Sequence, residues 1–247
     1  MLLQRTADWH AARKGKLTAS NVGAALGLCP WTTRRQAFAR ATGNDKFNGN
    51  DATRWGTKNE ANGVLAYSAH TGNLVRPTGL HVHNDYPWLA GSPDGLIGEE
   101  GLLEVKCPYW RKRDGSRLHK SIPMHYYLQV LLCLECANRE WCDFISWAPE
   151  NYTIFRITRD SDLHEALMPH YTEFYACIAR GTEEPSELPS ETLEQIRKGV
   201  QESMDAHVTS RYERLDIREE EIADPLMFED AEHPQNFPNH QQCRSGL

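Results

Sequence analysis

Residues 88–107 read WLAGSPDGLIGEEGLLEVKC, and the fold turns on how this stretch pairs with itself. Two apolar runs flank Gly98-Glu99-Glu100-Gly101, a turn suited to a β-hairpin. Strand side chains alternate faces, so Glu104 and Lys106 point one way while Leu103 and Val105 point the other, into the core. Pro93 has no N–H to give to a ladder, so the first strand must be disrupted there. A tight hairpin then sets the disrupted position beside Glu104, and Asp94, Glu104 and Lys106 share one small pocket. Two carboxylates held this close repel unless a cation lies between them. Oxygen ligands with room for water suit Mg²⁺ or Mn²⁺. Such an ion can polarise a phosphodiester and activate water. Lys106 can orient that water or neutralise developing negative charge, so the pocket suits phosphodiester hydrolysis.

Working outward, Ser20 is placed to N-cap a short helix over NVGAALG. Thr32 or Thr33 opens a second helix, RRQAFARATG, and a longer one runs from about Thr53 to His70 and stops at Gly72. The segment LVRPTGLHVHN reads as strand. After Pro123 an apolar helix runs to about Asn138. Two strands follow, CDFISWAP and NYTIFRITR, with a turn at Glu150-Asn151, then a helix over 161–180. Residues 186–207 read as one more helix, and the Pro-, Asn- and Gln-containing acidic tail beyond it as extended or poorly ordered. The pattern is mixed α/β: helices, a mainly antiparallel set of strands, then helices packed on it.

Hydrophobic residues make up 40% and charged residues 25% of the 247, an ordinary globular composition. No apolar run reaches the roughly 18 residues of a membrane span, and the N-terminus lacks the apolar stretch of a signal peptide. The expectation is a cytoplasmic protein. Its seven cysteines are read as reduced thiols, with Cys133 and Cys136 as core residues of an apolar helix. The net charge of −7 hides a division along the chain. Residues 183–247 carry 16 acids and 6 Lys or Arg, whereas residues 1–182 carry 18 and 21. Residues 106–120 hold six bases against one acid. Positive charge thus gathers where a polyanion could use it, although charge alone fits a solvated surface better.

Other positions carry two readings each. Glu60 shares a helical stripe with Val64 and Tyr67, which points it towards apolar surroundings where a carboxylate needs a partner; the alternative is a surface glutamate. Gln129 lies in the apolar run YYLQVLL, where a buried amide must be hydrogen-bonded. Arg13 and Ser20 could together hold a phosphate at a helix start, although a plain cap plus a surface arginine explains them as well. Trp9, Trp31, Trp55 and Trp110 accompany the basic segments and could stack on bases or simply pack. Trp110, inside the basic loop with Arg111, Lys112 and Arg113, is the best stacking candidate. His10, His81, His83, His119 and His125 show no zinc spacing.

Pro93-Asp94 followed by Glu104-x-Lys106 resembles the PD-(D/E)xK nuclease motif. RKGKLTAS (13–20), GTKNE (56–60), GSPDGL, LEVKCP and Gln129 follow in the order found in lambda-type phage recombination exonucleases, the viral recombinase branch of that superfamily. The resemblance covers roughly residues 5–160. It implies a restriction-endonuclease-like core with a central mixed β-sheet flanked by helices, over residues 1–182. Residues 183–247 are then a C-terminal helical and acidic extension of the same domain. It also implies Mg²⁺, replaceable by Mn²⁺ and bound as two ions, on Asp94, Glu104 and the Val105 carbonyl. Lys106, Glu60 and Gln129 complete the catalytic set, Arg13 and Ser20 bind a 5′-phosphate, and Trp9, Trp110, Arg111, Lys112 and Arg113 are candidate DNA contacts. The implied activity is 5′-to-3′ digestion of double-stranded DNA ends to mononucleotides, leaving 3′ single strands for recombination. The implied assemblies are a homotrimer and a complex with a single-strand annealing protein. The alternatives are an endonuclease of the same superfamily, a DNA-binding module with a vestigial site, and a metalloprotein unrelated to DNA.

Overall fold

Pro93 does more than disrupt a strand: it divides the first arm of the hairpin between two sheets. In the computed structural model, which describes residues 4–45, 49–109, 118–149, 151–181 and 184–211, β4 (Leu89–Gly91) ends before Ser92-Pro93-Asp94 and β5 (Gly95–Ile97) begins after it. β4 joins a three-stranded sheet with β1 (Leu17–Thr18), parallel, and β3 (His81–Val82), antiparallel. β5 belongs to a six-stranded sheet of order β2-β5-β6-β7-β8-β9, built from β2 (Val75–Arg76), β6 (Gly101–Lys106), β7 (Trp141–Ala148), β8 (Asn151–Thr158) and β9 (Val208–Arg211). Every pairing in the larger sheet is antiparallel except β6 with β7. That parallel pair requires a crossover, which α5 (Met124–Ala137) supplies.

The mixed α/β class with a mixed sheet flanked by helices is therefore as expected. Leu103 and Val105 do enter a core, with Tyr67, Ile97, Ile145, Tyr152 and Ile154, under α4 (Asp51–Thr71). The opposite face of β6 is buried too. Leu102, Phe144, Phe155 and Ile157 pack there with α5 and α2 (Ala19–Ala25). Glu104 lies on this covered face at 2% exposure.

The helix ends follow the sequence signals. α3 (Arg34–Thr42) opens with a Thr33–Gln36 capping box and closes on Gly43 in the left-handed region. α4 opens on Asn50 and closes on Gly72. α6 (Ser161–Arg180) is capped by the Asp160 side chain. α7 spans Ser190–His207, shorter than the expected 186–207, because Pro189 holds an extended conformation at its N-cap. Ile196 and Val200 of α7 enter the main core. The residues just beyond α7 form β9, which extends the sheet through pairing with β8.

α4 can approach β6 because residue 63 has no side chain. A Cβ at Gly63 would lie 2.4 Å from Val105 Cγ1. At the far end of the contact, buried Tyr67 donates to Asp143 Oδ2 at 2.6 Å, and Arg156 holds the same carboxylate at 2.8 and 2.9 Å. Gly63→Ala gains about 1 kcal/mol of helix propensity, but overpacking against a stiff β-branched neighbour typically costs about 1–3 kcal/mol. The stiff Val105 favours the clash, and urea denaturation should show a net loss of up to about 2 kcal/mol. Unchanged stability would mean that this helix–strand contact yields more easily than its geometry implies.

Candidate metal and phosphate site

The disrupted strand and the hairpin bring the acidic residues together as the alternation requires. The Val105 amide donates to Asp94 Oδ2 at 2.7 Å, and the Asp94 amide donates to the Leu103 carbonyl at 3.0 Å. Asp94 is thus fixed to β6 by its backbone and its side chain. Glu104 Oε1 accepts from Lys106 Nζ and from Gln129 Nε2, each at 2.5 Å, and Lys106 also reaches Gln129 Oε1 at 3.4 Å. Gln129 projects from α5 onto the strand, so the amide in the apolar run finds its partners here. The Lys106 ammonium lies 4.6 Å from the centre of the Tyr126 ring.

The charges sit where burial opposes them. Burial, then the carboxylates of Glu104 and Glu60, hold the Asp94 carboxyl well above its ordinary range; Lys106 and the Val105 amide only partly offset this. Burial also raises Glu104 despite the pull of Lys106. For Lys106, burial alone would depress the ammonium, but the surrounding carboxylates, Glu104 first, push it upward. Cys107, next along the chain, is pushed up to about 12 by burial and by Glu60 and Asp94, so its thiol stays protonated. Among the described residues, Glu104 Oε2 is buried without a hydrogen-bond partner. An orphaned carboxylate oxygen beside two further carboxylates fits a hard cation held by oxygen ligands. Asp94 and Glu104 would hold such an ion, with Glu60 beside them.

A second cluster adjoins the first. Arg13, at the end of α1 (Ala7–Arg13), donates to Ser20 Oγ at 2.8 Å and to Thr18 Oγ1 at 3.2 Å. Its guanidinium lies 4.2 Å from the centre of the Trp9 ring, and the Trp9 indole donates to Ser92 Oγ at 3.0 Å. Burial lowers Arg13 to about 10, still far above neutrality, so the group is cationic. Ser20 is not the cap expected from the sequence. Thr18 holds the N-cap position of α2 without capping through its side chain, because both hydroxyls turn towards Arg13. Trp9 is half-buried in this cluster, beside the Arg13 guanidinium and Ser92. Trp110, Arg111, Lys112 and Arg113 lie outside the described residues. Trp31 is exposed at 79%, and Trp55 stands beside Tyr109 with ring centres 6.4 Å apart.

Sequence reasoning missed Arg5, which pairs with Glu60; Ser92 and Tyr126, whose roles depend on contacts distant in the chain; and Thr18, which meets Arg13 five residues away. It also gave His83 no metal role, whereas His83, Glu135 and His164 have potential ligand atoms within 4.8 Å of one another. Two of the three are engaged elsewhere, while His164 Nε2 is buried with no hydrogen-bond partner among the described residues. Arg159 binds both Glu135 oxygens, and His83 Nδ1 accepts from the amides of Asp85 and Tyr86. A histidine ligand normally donates through its second nitrogen, so this group reads as a buried ion pair flanked by imidazoles.

The fold is that of a known class of proteins. The alkaline exonuclease LHK-Exo from Laribacter hongkongensis is similar at 29% identity and TM-score 0.58, over 79% of this chain and 99% of that one. Its structure in complex with dAMP matches over the same shares at 26% identity and TM-score 0.58. Residues 8–140 match the YqaJ-like viral recombinase domain, and the chain belongs to that family. An uncharacterised protein of Acanthamoeba polyphaga mimivirus, R354, is 28% identical over 163 residues, spanning 60% of this chain and 30% of that protein.

Raised carboxylates make the site a source of instability. A group whose folded pKa lies above its unfolded value contributes stability below the unfolded value, and this is lost as pH rises through the folded one. Asp94→Asn keeps an acceptor for the Val105 amide and removes the charge. Without divalent ions it should stabilise the protein at pH 7 by about 0.5–2 kcal/mol. The gain should vanish below about pH 3, under the unfolded value of 3.8, where the wild-type carboxyl is neutral in both states. Denaturant titrations at the two pH values measure the difference, and a destabilised Asn variant at pH 7 would contradict the electrostatic account.

Proposed function

We propose that the chain is a metal-dependent exonuclease acting on double-stranded DNA ends from 5′ to 3′, releasing mononucleotides. The observation that carries this reading is the pairing of two sites of opposite charge on one loop. Asp94 and Glu104, with the orphaned Glu104 oxygen, suit a divalent ion, and Ser92, two residues away, holds the Trp9–Arg13 cluster that suits a phosphate. The exonuclease activity of LHK-Exo, and a structure of it with a mononucleotide, support the same reading.

In this reading Asp94, Glu104 and the Val105 carbonyl hold Mg²⁺, with Mn²⁺ as a substitute and two ions in the full site. The bound ion supplies Lewis acidity towards the phosphodiester and activates water. Lys106, fixed by Glu104 and Gln129, directs its ammonium at the reacting water and at the charge that builds on the phosphate. Glu60 helps to hold the ions from α4. Arg13, Thr18 and Ser20 receive the terminal 5′-phosphate, which sets the polarity. The 3′ single strand left behind would feed strand annealing, with a single-strand annealing protein as partner and a homotrimer as the working assembly, in the host cytoplasm. No helix among the described residues is long and apolar enough to cross a membrane. Of the C-terminal extension to the nuclease domain of residues 1–182, the part that carries α7 and β9, up to Arg211, packs on the core and the sheet of that domain.

Asp94→Ala and Glu104→Ala should abolish hydrolysis of end-labelled linear duplex while leaving the circular dichroism spectrum intact. Lys106→Ala should lose most turnover yet still take up Mg²⁺ in calorimetry, because an ammonium is not a metal ligand. Loss of Mg²⁺ uptake in Lys106→Ala would overturn the role given to the lysine.

Polarity has its own test. A phosphate contact from a charged donor is worth about 1.5–3 kcal/mol, or roughly 10- to 100-fold in rate when it acts in the transition state. Arg13→Ala should slow digestion of 5′-phosphorylated ends by that factor and of 5′-hydroxyl ends much less. Equal slowing of both would make Arg13 a general DNA or folding contact. Nicking of covalently closed circles by the wild type, without preference for phosphorylated ends, would replace the exonuclease reading with an endonuclease.

A further inference from the structure

Arg5 is a non-glycine residue held at φ 65, in the left-handed region. Among the described residues the other such case is Asn138, an ordinary helix C-cap. Backbone strain of this kind costs about 1–3 kcal/mol and persists only where neighbouring contacts hold it. The contacts are present on both sides of Arg5. The Gln4 side chain donates to the Pro93 carbonyl at 2.7 Å, and after Arg5 the chain enters α1, whose Trp9 donates to Ser92. The segment is therefore fastened to the loop that carries Asp94, and its strained residue delivers a guanidinium to Glu60.

We propose that Arg5 is a DNA-backbone contact held in reserve: it pairs with Glu60 while the carboxylates lack a divalent ion, and turns to a substrate phosphate once an ion takes over Glu60. This rests on the reading of Glu60, Asp94 and Glu104 as an ion site acting on DNA. The pair is at the mouth of the site, with Arg5 48% and Glu60 26% exposed. Exposed pairs contribute little and exchange readily, whereas an arginine–phosphate contact is charge-assisted and can be bidentate. Charge balance points the same way. Lys106 and the first divalent ion already match three ionised carboxylates, and a second ion exceeds them, so the Arg5 cation is surplus at the entrance and free for a polyanion.

The test measures binding rather than turnover. Affinity for a fluorescent 5′-phosphorylated duplex is compared between wild type and Arg5→Gln, in EDTA and in Ca²⁺, which fills oxygen-ligand sites without the strict octahedral geometry of Mg²⁺. In EDTA the two proteins should agree within about twofold. In Ca²⁺ the variant should bind about tenfold more weakly, the scale of one charge-assisted contact, and its salt slope should fall by about one. Arg5→Lys should recover part of the loss. In calorimetry without DNA, Arg5→Gln should take up Ca²⁺ at least as tightly as wild type, since a competing cation is gone. The same wild-type-to-variant ratio in EDTA and Ca²⁺, whatever its size, overturns the proposal while the ion site stands. Absence of Ca²⁺ uptake by wild type overturns the ion-site reading itself, and this proposal with it.

Discussion

Glu104 is a carboxylate at 2% exposure in the middle of a hydrophobic sheet, and much of the surrounding structure can be understood as the means of keeping it there. A buried charge is tolerated only when paired and hydrogen-bonded. Lys106 satisfies one oxygen from the same strand and Gln129 satisfies it again from α5. α5 is also the crossover that makes the β6–β7 pairing parallel. The helix required by topology thus supplies the amide required by electrostatics. The second oxygen of Glu104 is left to the site.

Asp94 is held by a different device. Its backbone continues the β5–β6 ladder while Pro93 ends the run of strand before it, so its side chain turns back onto the Val105 amide. Val105 meanwhile packs its own side chain into the opposite core, against α4 at Gly63. The same helix carries Glu60 one turn earlier and is tied down further along by Tyr67 on Asp143. Helix packing on one face and helix packing on the other therefore converge on the end of β6. Their apolar burial offsets the repulsion that the carboxylates bring.

The hairpin and its facing residues were legible because they depend on local rules: a period of two, a Gly-bounded turn, a proline that cannot pair. The ends of α3 and α4 were legible for the same reason, since Thr33, Gly43 and Gly72 act through their immediate neighbours. The division of the strand at Pro93 between two sheets was not, because pairing partners are chosen by distant segments and two-residue strands carry no period. Ser20 shows a different limit. A hydroxyl near a helix start can cap the helix or receive a guanidinium, and only the folded position of Arg13 decides between them. Arg5 gave no signal at all: one arginine near an N-terminus has no pattern, and its meaning comes from Glu60, 55 residues away.

The loop from Ser92 to Asp94 joins two electrostatic problems that would be harder to solve separately. Opposite charges in neighbouring clusters would collapse onto each other if their side chains were free to move. Here each is pinned before the other is met. Arg13 is held over Trp9 and by two hydroxyls, and Trp9 is held by Ser92; Asp94 is held by the Val105 amide. Arg13 and Asp94 are thus each pinned by neutral groups, so neither is held by the charge of the other's cluster. A ligand with phosphates at a fixed spacing, such as a nucleic-acid backbone, can then engage both clusters at once. Under the proposed function, the short link from Ser92 to Asp94 would fix which two phosphates the clusters meet.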